Sequence, residues 1–220
     1  MKWAAGQRAL FALLAAGLCL PAAADEPSWE VVATGAITVK SRARPGSNIK
    51  EIWAEGEINA PVADIQAALM NPDRFPTFMP YVKEAREVGR PEADGSRYVY
   101  TRLDLPLVAP RDYVLKVKLV EGVDGEGKGT FRNHWVAASN YLPKRANIVR
   151  LQVNEGSWVV RPVGDGAKSW AVYKFTVDPG GWIPAFAADM GNKSGVTDTF
   201  KAVEKEASRR CQERKANGAR

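Results

Sequence analysis

The amino-acid sequence predicts an α+β fold, in which a curved antiparallel sheet wraps around a long C-terminal helix and leaves an internal hydrophobic cavity. Most of the chain alternates apolar and polar residues, and this period of two is typical of strands. Apolar residues recur at helical spacing in two segments, one in the first third of the chain and one near its C-terminus. The long sheet needs a cover for its apolar face, and the terminal helix is the obvious cover. A space between a curved sheet and one helix is where small molecules bind.

The first 24 residues have the layout of a secretory signal peptide. Lys2 and Arg8 form a basic start, an apolar run covers 9–20, and three alanines end at a small-residue cleavage site before Asp25. The apolar run is shorter than the roughly 20 residues that a membrane span needs, which favours a cleaved signal peptide over the alternative of an uncleaved anchor. We expect residues 1–24 to be removed, and the mature protein to lie in the periplasm or to be secreted.

The rest of the chain is predicted to be one domain, because it contains no repeat, no low-complexity stretch and no linker that would divide it. We place this domain at residues 25–210 and a charged tail at residues 211–220. The basic residues of the tail suit the C-terminal end of a solvated helix, where cations complement the dipole. Weak attraction to an anionic lipid surface is a second interpretation of the same residues.

The domain begins with two strands and a helix. Residues 29–40 and 49–59 each place apolar side chains on one face, and they should pair as an antiparallel hairpin around an Arg-Pro-Gly turn. A helix opens at Pro61, whose missing N–H costs nothing in a first turn, and Pro72 stops it. Residues 73–80 hold two prolines and two phenylalanines, and we predict an irregular segment or a short helix there.

A run of strands follows for about a hundred residues, with turn residues at the breaks. Strand signal continues on both sides of Gly156, so we interpret Glu155-Gly156 as a bulge within one long strand. The predicted strands cover 82–88, 96–105, 112–121, 129–137, 148–154, 157–162 and 168–178.

The last predicted element is a long helix that starts at Ile183-Pro184. Its apolar residues are spaced by 4, 3 and 4 positions, which places them in one stripe that should face the sheet. The members of this stripe are Val196, Phe200, Val203 and Ala207.

The composition excludes several kinds of site. One histidine and two cysteines cannot build a multi-histidine metal centre, a four-thiolate zinc site or an iron–sulfur cluster. No phosphate-binding glycine loop is found, so we predict neither a metal nor another cofactor. Loss of the signal peptide leaves Cys211 alone, without an internal disulfide. The net charge of +6 falls by two with Lys2 and Arg8, and no nucleic-acid-binding motif is found, so we expect no nucleic-acid partner.

Four short motifs follow one another along the chain: Ile58-Asn59-Ala60-Pro61-Val62, Pro110-Arg111-Asp112-Tyr113, the stretch from Glu155-Gly156-Ser157-Trp158 to Pro162, and Asp178-Pro179-Gly180-Gly181-Trp182-Ile183-Pro184. In the order and spacing of these motifs, residues 29–208 resemble the helix-grip fold of START lipid-transfer domains, which belong to a wider superfamily with polyketide cyclases. The resemblance implies a hydrophobic cavity that holds one lipid-like molecule without a cofactor. Because the superfamily contains binders and enzymes, the fold alone does not decide the function.

The strand at 129–137 offers the most informative candidate for ligand contact. If Phe131 and Trp135 face inward, so does Asn133, and a buried amide needs hydrogen-bond partners. A ligand hydroxyl or carbonyl is one partner, and a structural partner within the protein is the alternative. His134 then faces outward, so the only imidazole is expected on the surface rather than in catalysis.

The other candidates are aromatic, basic and flexible apolar side chains near the predicted cavity and its mouth. Aromatic side chains there can line a cavity or simply pack in the core. Arg111 can meet an anionic or hydroxylated head group, or form an ion pair that orients the apolar loop 105–110. This loop resembles the START loop that gates the cavity, and its exposed apolar residues would suit insertion into a membrane during exchange. The predicted ligand-binding residues are Arg111, Tyr113, Asn133, Trp135, Trp158, Tyr173, Phe175, Trp182, Phe186 and Met190.

The sequence therefore predicts a monomeric, exported protein that binds and transfers a lipid or another hydrophobic small molecule, with transient contact to a membrane surface. Two alternatives stay open. One is a cyclase or hydrolase that uses the same cavity, although no acid–base pair is evident in the sequence. The other is an envelope interaction module whose cavity is filled by its own side chains.

Overall fold

The computed structural model describes residues 27–47, 49–181 and 194–218, and these ranges form ten strands and three α-helices. The predicted signal peptide at 1–24 lies outside the described residues. The strands and helices, in chain order, are β1 (Glu30–Ala33), β2 (Ile37–Ala43), β3 (Lys50–Ile58), α1 (Val62–Leu69), a short 3-10 helix (Pro72–Arg74), α2 (Phe75–Phe78), β4 (Val82–Val88), β5 (Arg97–Leu103), β6 (Arg111–Glu121), β7 (Phe131–Ala137), β8 (Val149–Arg150), β9 (Asn154–Val163), β10 (Lys168–Val177) and α3 (Gly195–Gly218).

All ten strands belong to one open sheet whose order is β1-β2-β3-β10-β9-β7-β6-β5-β4. Neighbours along this path pair antiparallel, and β8 adds a short parallel pair to the start of β6. The sheet is curved, and α3 lies against it, so the predicted fold class is confirmed. The predicted hairpin is confirmed as well, since β2 pairs antiparallel with β3.

The long helix carries its apolar stripe into the main core. Val196, Phe200, Val203 and Ala207 are at most 2% exposed and belong to the same buried cluster as residues of the sheet and α1. The predicted start at Ile183-Pro184 lies outside the described residues. At the other end, α3 continues to Gly218, so the boundary that we placed at 210 falls inside this helix. No helix within the described ranges has both the length and the apolar character that crossing a membrane requires.

Three local predictions differ from the structure. Residues 29–40 form two paired strands, β1 and β2, because the chain turns between Ala33 and Ile37. Glu155-Gly156 does not form a bulge, since Gly156 pairs in unbroken register with Trp135 on one side and Phe175 on the other. The predicted strand at 148–154 is mostly wrong. Only Val149 and Arg150 form a strand there, which is β8, and Asn154 already belongs to β9.

Burial of charge explains the short β8. The Arg150 side chain pairs with Asp112 and also donates to the carbonyls of Ser139, Leu142 and Pro143. These contacts hold the segment 138–150 on the outer face of the sheet, where Ala138 and Leu142 pack on a second small core. The strand is therefore limited to the two residues that pair with the start of β6.

Candidate ligand-binding pocket

A pocket of about 260 Å³ lies between the inner face of the sheet and the segment from α1 to α2. Strands β5, β6, β7, β9 and β10 form its wall, and one described residue of α3 contributes to it. Most lining side chains are apolar or aromatic. The described lining residues are Leu69, Met70, Pro72, Phe75, Met79, Pro80, Val82, Arg97, Val99, Thr101, Leu103, Tyr113, Leu115, Val117, Asn133, Trp135, Trp158, Tyr173 and Thr199.

Strand alternation explains why these residues share the pocket. Successive side chains of a strand point to opposite faces, so every second residue of β5 and β6 reaches the inner face. On β6 the lining residues are Tyr113, Leu115 and Val117, whereas Val114 is buried in the second core on the outer face. Both faces of this part of the sheet are therefore covered, which keeps the pocket wall in place.

The aromatic wall stands on β7, β9 and β10. The rings of Trp158 and Tyr173 stack with centroids 4.2 Å apart, and Tyr173 stacks in turn on Phe175 at 4.6 Å. From α3, Phe200 approaches Trp158 with a centroid distance of 5.2 Å. The ring of Trp135 lies 6.0 Å from that of Tyr173. These contacts join the sheet to α3 through aromatic side chains, three of which also line the pocket.

Gly156 makes room for this wall. A side chain on Gly156 would overlap the indole ring of Trp135, the backbone carbonyl of Lys174 and the Cβ atom of Phe175. The position therefore requires glycine because an indole ring lies directly against the backbone. The glycine that suggested a bulge marks instead the place where the Trp135 ring packs against the backbone of the next strand.

Asn133 is a deeply buried polar residue that lines the pocket, with 4% of its surface exposed. Its Oδ1 accepts a hydrogen bond from the backbone N–H of Trp158 at 3.0 Å. Its Nδ2 donates to the sulfur of Met70 at 3.8 Å. The neighbouring indole N–H of Trp135 donates to Oδ1 of Asn154 at 3.0 Å. The amide of Asn133 therefore presents an N–H donor to the pocket.

The two tyrosines of the pocket are neutral hydrogen-bonding groups. Burial raises the pKa of Tyr173 above its ordinary value, and the nearby Tyr113 raises it further. Burial also raises the pKa of Tyr113, although a side-chain hydrogen bond with Thr101 partly opposes this effect. Both phenols thus stay protonated in any ordinary buffer, and they add polar tips to an apolar wall.

Polar groups stand at the two ends of the β6 wall. Asn133 pairs across β6 and β7 with Leu119, and Thr101 pairs across β5 and β6 with Tyr113. Six residues of one strand separate these levels, which corresponds to about 20 Å along β6 at ~3.4 Å per residue. Apolar side chains, Leu115 and Val117 among them, occupy the distance between the ends.

Arg111 and Asp112, adjacent in sequence, have different surroundings. Arg111 is 2% exposed, and its guanidinium donates to the carbonyl of Ala109 in the preceding loop. Burial lowers its pKa. Asp112 is fully buried and forms a bidentate pair with Arg150, with N–O distances of 2.6 and 3.0 Å. Sequence reasoning missed Arg150, because its partner lies 38 positions away.

The apolar loop between β5 and β6 exposes Leu107. This side chain is 84% exposed, and its backbone has φ +64°, a left-handed conformation that leucine rarely adopts. Among the large apolar side chains that are described as exposed, Leu107 is the most exposed. The loop thus presents an apolar tip to solvent at a cost in backbone energy.

The predicted ligand-binding residues fall into three groups. Five of them line the pocket: Tyr113, Asn133, Trp135, Trp158 and Tyr173. Phe175 stacks beside Tyr173 on the same face of β10 without lining the pocket, and Arg111 lies at the start of β6 outside the described lining. Trp182, Phe186 and Met190 lie outside the described residues. Contact of any of these residues with a ligand stays a prediction.

Sequence reasoning missed the contribution of β5, α1 and α2 to the pocket. The signal in the strands was available, because Val99, Thr101 and Leu103 alternate on β5 as Leu115 and Val117 do on β6. The residues of the segment from α1 to α2 carried no comparable signal, since their place depends on how that segment folds over the sheet.

Acid–base and metal-binding groups stand elsewhere. His134 is exposed on the outer face of β7, as the alternation predicts. Aspartate, glutamate, histidine and cysteine are absent from the described lining of the pocket. Within the described ranges, no three such side chains come together in a way that could hold a metal ion.

A second depression, of about 960 Å³, lies at one end of the sheet. Solvent-exposed turns around Glu126 and Asp165 line it, together with Gln212, Arg214 and Lys215 near the end of α3. This depression is a polar surface groove outside the space between sheet and helix, so the smaller apolar pocket is the better candidate for a hydrophobic ligand.

Comparison with known proteins agrees with this architecture. No protein-family model matches the sequence. An uncharacterised protein of Pseudomonas aeruginosa is 26% identical over 166 residues, which are 75% of this chain and 79% of that protein. This relative carries no functional description.

Two solved structures superpose over most of the chain. A STAR-related lipid transfer protein of Xanthomonas axonopodis matches with a TM-score of 0.67 and 24% identity, over 82% of this chain and 98% of that one. Human STARD10 matches with a TM-score of 0.71 and 15% identity, over 86% of this chain and 76% of that one. At these identities the likeness concerns the fold, and it confirms the resemblance that the sequence motifs suggested. The chain therefore has the helix-grip fold of the START domains.

Proposed function

We propose that this protein binds a lipid or another hydrophobic small molecule in the pocket between the sheet and the helices. The observation that carries the proposal is the lining of the pocket, which is apolar and aromatic except for a few uncharged polar groups and one arginine. Such a combination of apolar walls and few oriented polar groups is typical of small-molecule sites. The solved structures of similar fold include two that are named as lipid transfer proteins, which agrees with this proposal.

The driving force would be removal of apolar surface from water. Each 100 Å² of ligand surface that leaves water contributes about 2.5 kcal/mol before ordering costs, at ~25 cal/mol per Å². A volume of about 260 Å³ lies slightly below the usual range of roughly 300–1,000 Å³ for ligand pockets. The pocket thus suits a compact hydrophobic molecule, or a single chain of a larger one.

Binding is favoured over catalysis by the chemistry of the described wall. General acid–base catalysis needs a group that titrates near the working pH. Besides Arg97, which pairs with Glu87, the polar groups of the described wall are two phenols with raised pKa values, an amide and two threonines, none of which titrates near neutrality. The proposal therefore assigns the protein a carrier function rather than a cyclase or hydrolase function.

Transfer and location complete the proposal. The exposed Leu107 would enter the surface of a membrane while the ligand is exchanged, and the signal-peptide pattern at 1–24 would direct the protein to the periplasm or outside the cell. The protein would act as a monomer, since one chain forms the whole described pocket.

A pocket-filling variant tests binding directly. Leu115→Trp would fill the pocket, and we expect native mass spectrometry of gently purified protein to show less bound lipid than in the wild type. The matched control is Val136→Trp, because Val136 is 45% exposed and lies on the outer face of the neighbouring strand. Equal ligand occupancy in both variants, or an empty wild-type protein that also binds no fluorescent hydrophobic probe, would contradict the proposal.

A further inference from the structure

The amide of Asn133 has a fixed orientation. The backbone N–H of Trp158 points at one end of the amide, at 3.0 Å, and only the oxygen end can accept this hydrogen bond. A rotated amide would place two donors against each other. Nδ2 is therefore directed away from the backbone of β9, toward the side chain of Met70 in the pocket wall.

The donor at Nδ2 is poorly satisfied. Asn133 is 4% exposed, and its Nδ2 donates to the Met70 sulfur at 3.8 Å. A thioether is a weak acceptor, and a buried amide N–H without a good acceptor costs free energy. An oxygen atom in the place of the sulfur would make a much better hydrogen bond.

Met70 is suited to leave that place. Methionine has an unbranched, adaptable side chain that fills irregular gaps and repacks when a ligand enters. Met70 follows the last residue of α1, and its carbonyl accepts a hydrogen bond from Arg97 at 3.5 Å, so its backbone is anchored. Its side chain is only partly buried at the edge of the main core.

The charges near this end of the pocket favour an uncharged ligand. Arg97 is the single cation in the described lining, and Glu87 already forms an ion pair with it. A carboxylate or phosphate beside Asn133 would therefore lose its hydration without gaining an unpaired cation, which is costly in a buried site.

We propose that Nδ2 of Asn133 is the recognition group for an uncharged ligand oxygen, a carbonyl, ether or hydroxyl, which displaces the sulfur of Met70. The ligand would be a neutral lipid-like molecule whose oxygen lies at the Asn133 end of the pocket and whose hydrocarbon part lies along Leu115 and Val117. This inference rests on the proposed function, since it describes the specificity of the same pocket.

The test measures the affinities of three small probes by displacement of the neutral fluorophore N-phenyl-1-naphthylamine. Undecane has no acceptor, decan-2-one has a neutral acceptor, and decanoate is an anion. The two informative variants are Asn133→Asp, which keeps the acceptor for the Trp158 N–H but removes the donor, and Met70→Leu, which removes the competing sulfur. Circular dichroism and thermal unfolding establish that both variants are folded.

Above neutral pH, we expect Asn133→Asp to lower the affinity for decan-2-one about 2- to 10-fold more than the affinity for undecane, because one hydrogen bond is lost. Met70→Leu should raise the affinity for decan-2-one and leave the affinity for undecane unchanged. Because the two variants act in opposite directions, either of them tests the proposal if the other does not fold.

Three outcomes would overturn the inference or what it rests on. Equal effects of each variant on decan-2-one and undecane would show that Asn133 does not recognise an oxygen. Wild-type affinity for decanoate above that for decan-2-one would show an anion site. Failure of undecane and decan-2-one to displace the fluorophore from the wild type would instead contradict the proposed function itself.

Discussion

Gly156 shows how one missing side chain shapes the pocket wall. The Trp135 ring, the Lys174 carbonyl and the Phe175 Cβ atom occupy the space that a Cβ atom would need. Two of these three obstacles belong to the chain near its backbone, so they cannot move aside as the end of a flexible side chain could. The position therefore controls where Trp135 lies.

We predict that Gly156→Ala destabilises the fold by about 1–3 kcal/mol, which is the usual cost of overpacking a core. The measurement is urea denaturation, with Ser157→Ala as the control, because Ser157 is the next residue and its side chain faces the other side of the sheet. The control should change the free energy of unfolding by less than about 0.5 kcal/mol. An unchanged midpoint for Gly156→Ala would show that Trp135 moves freely.

Arg150 holds the segment 138–150 on the outer face of the sheet. Its guanidinium is 1% exposed and satisfies the Asp112 carboxylate together with three backbone carbonyls. The hydrogen bonds to Asp112 raise the pKa of Arg150, so its charge is present at any ordinary pH. Removing the arginine would leave a buried carboxylate without its partner.

We expect Arg150→Met to cost about 3–5 kcal/mol in the free energy of unfolding. Arg145→Met is the matched control. Arg145 pairs with Glu84 at 2.9 Å on the surface, and exposed pairs contribute at most about 1 kcal/mol. Chemical denaturation of both variants provides the comparison, and a cost for Arg150→Met no greater than that of the control would refute the structural role of the pair.

At the scale of elements, α3 is joined to the pocket through Glu206. This carboxylate is 3% exposed and contacts Arg209 at 2.7 Å and Arg210 at 3.2 Å on α3. It also lies 3.5 Å from Arg74 in the 3-10 helix, whose Pro72 lines the pocket. Hydrogen bonds from Arg209 lower the pKa of Glu206, against the effect of burial, and the charges of Arg74 and Arg210 lower it further.

The lowered pKa of Glu206 in the folded protein predicts that the free energy of unfolding decreases in acid. The carboxylate stabilises the fold fully above its unfolded pKa near 4.5, and this contribution is lost as the pH falls toward the folded pKa. Glu206→Gln should therefore be less stable than the wild type at pH 7, and the difference should shrink below pH 4.5. Urea denaturation across this range measures it, with the exposed Glu126→Gln as control. A difference that stays constant or grows in acid would contradict the assignment.

The alternation of apolar and polar residues predicted the strands and their inner and outer faces well, but it could not locate the pocket. On β7 it correctly placed Phe131, Asn133 and Trp135 inside and His134 outside. The same rule applied to Tyr173 and Phe175 cannot distinguish them, although only Tyr173 lines the pocket. A strand pattern assigns a face, whereas the difference between core and cavity depends on what packs opposite that face.

Long-range pairing escaped prediction for a different reason. In a sequence, a charged side chain such as Arg150 looks like a surface residue. The strand at 148–154 was therefore predicted without knowing that Arg150 is buried against Asp112. The bulge predicted at Gly156 failed similarly, since a glycine that relieves crowding and a glycine that bends a strand leave the same local signal.

At the scale of the whole molecule, the sheet has two separately packed faces between β4 and β7. The inner face forms the pocket, and the outer face is covered by the segment 138–150 through Tyr100, Val114 and the Arg150–Asp112 pair. This double cover supports the sheet beside the pocket, because the outer core packs the face that the pocket does not occupy. The pocket wall and a second core thereby share the same strands.

The exposed loop links the fold to the proposed transfer. Leu107 gains nothing from burial, since it is 84% exposed, and its left-handed backbone costs a leucine about 1–2 kcal/mol. Asparagine tolerates this backbone conformation far better. A leucine here therefore lowers stability, and contact with a membrane surface would explain its presence.

We predict opposite effects of Leu107→Asn on stability and transfer. The variant should be more stable by up to about 1 kcal/mol, because the strained backbone is relieved and no buried contact is lost. It should also transfer a fluorescent lipid more slowly between anionic donor and acceptor vesicles, because the apolar tip is gone. The control is Val120→Asn, which removes an exposed apolar side chain from the far end of β6, about 30 Å along the strand from the loop at ~3.4 Å per residue. Transfer by Leu107→Asn at the wild-type rate would contradict the proposed role of the loop, whereas slower transfer together with higher stability would show that stability is reduced here in favour of exchange.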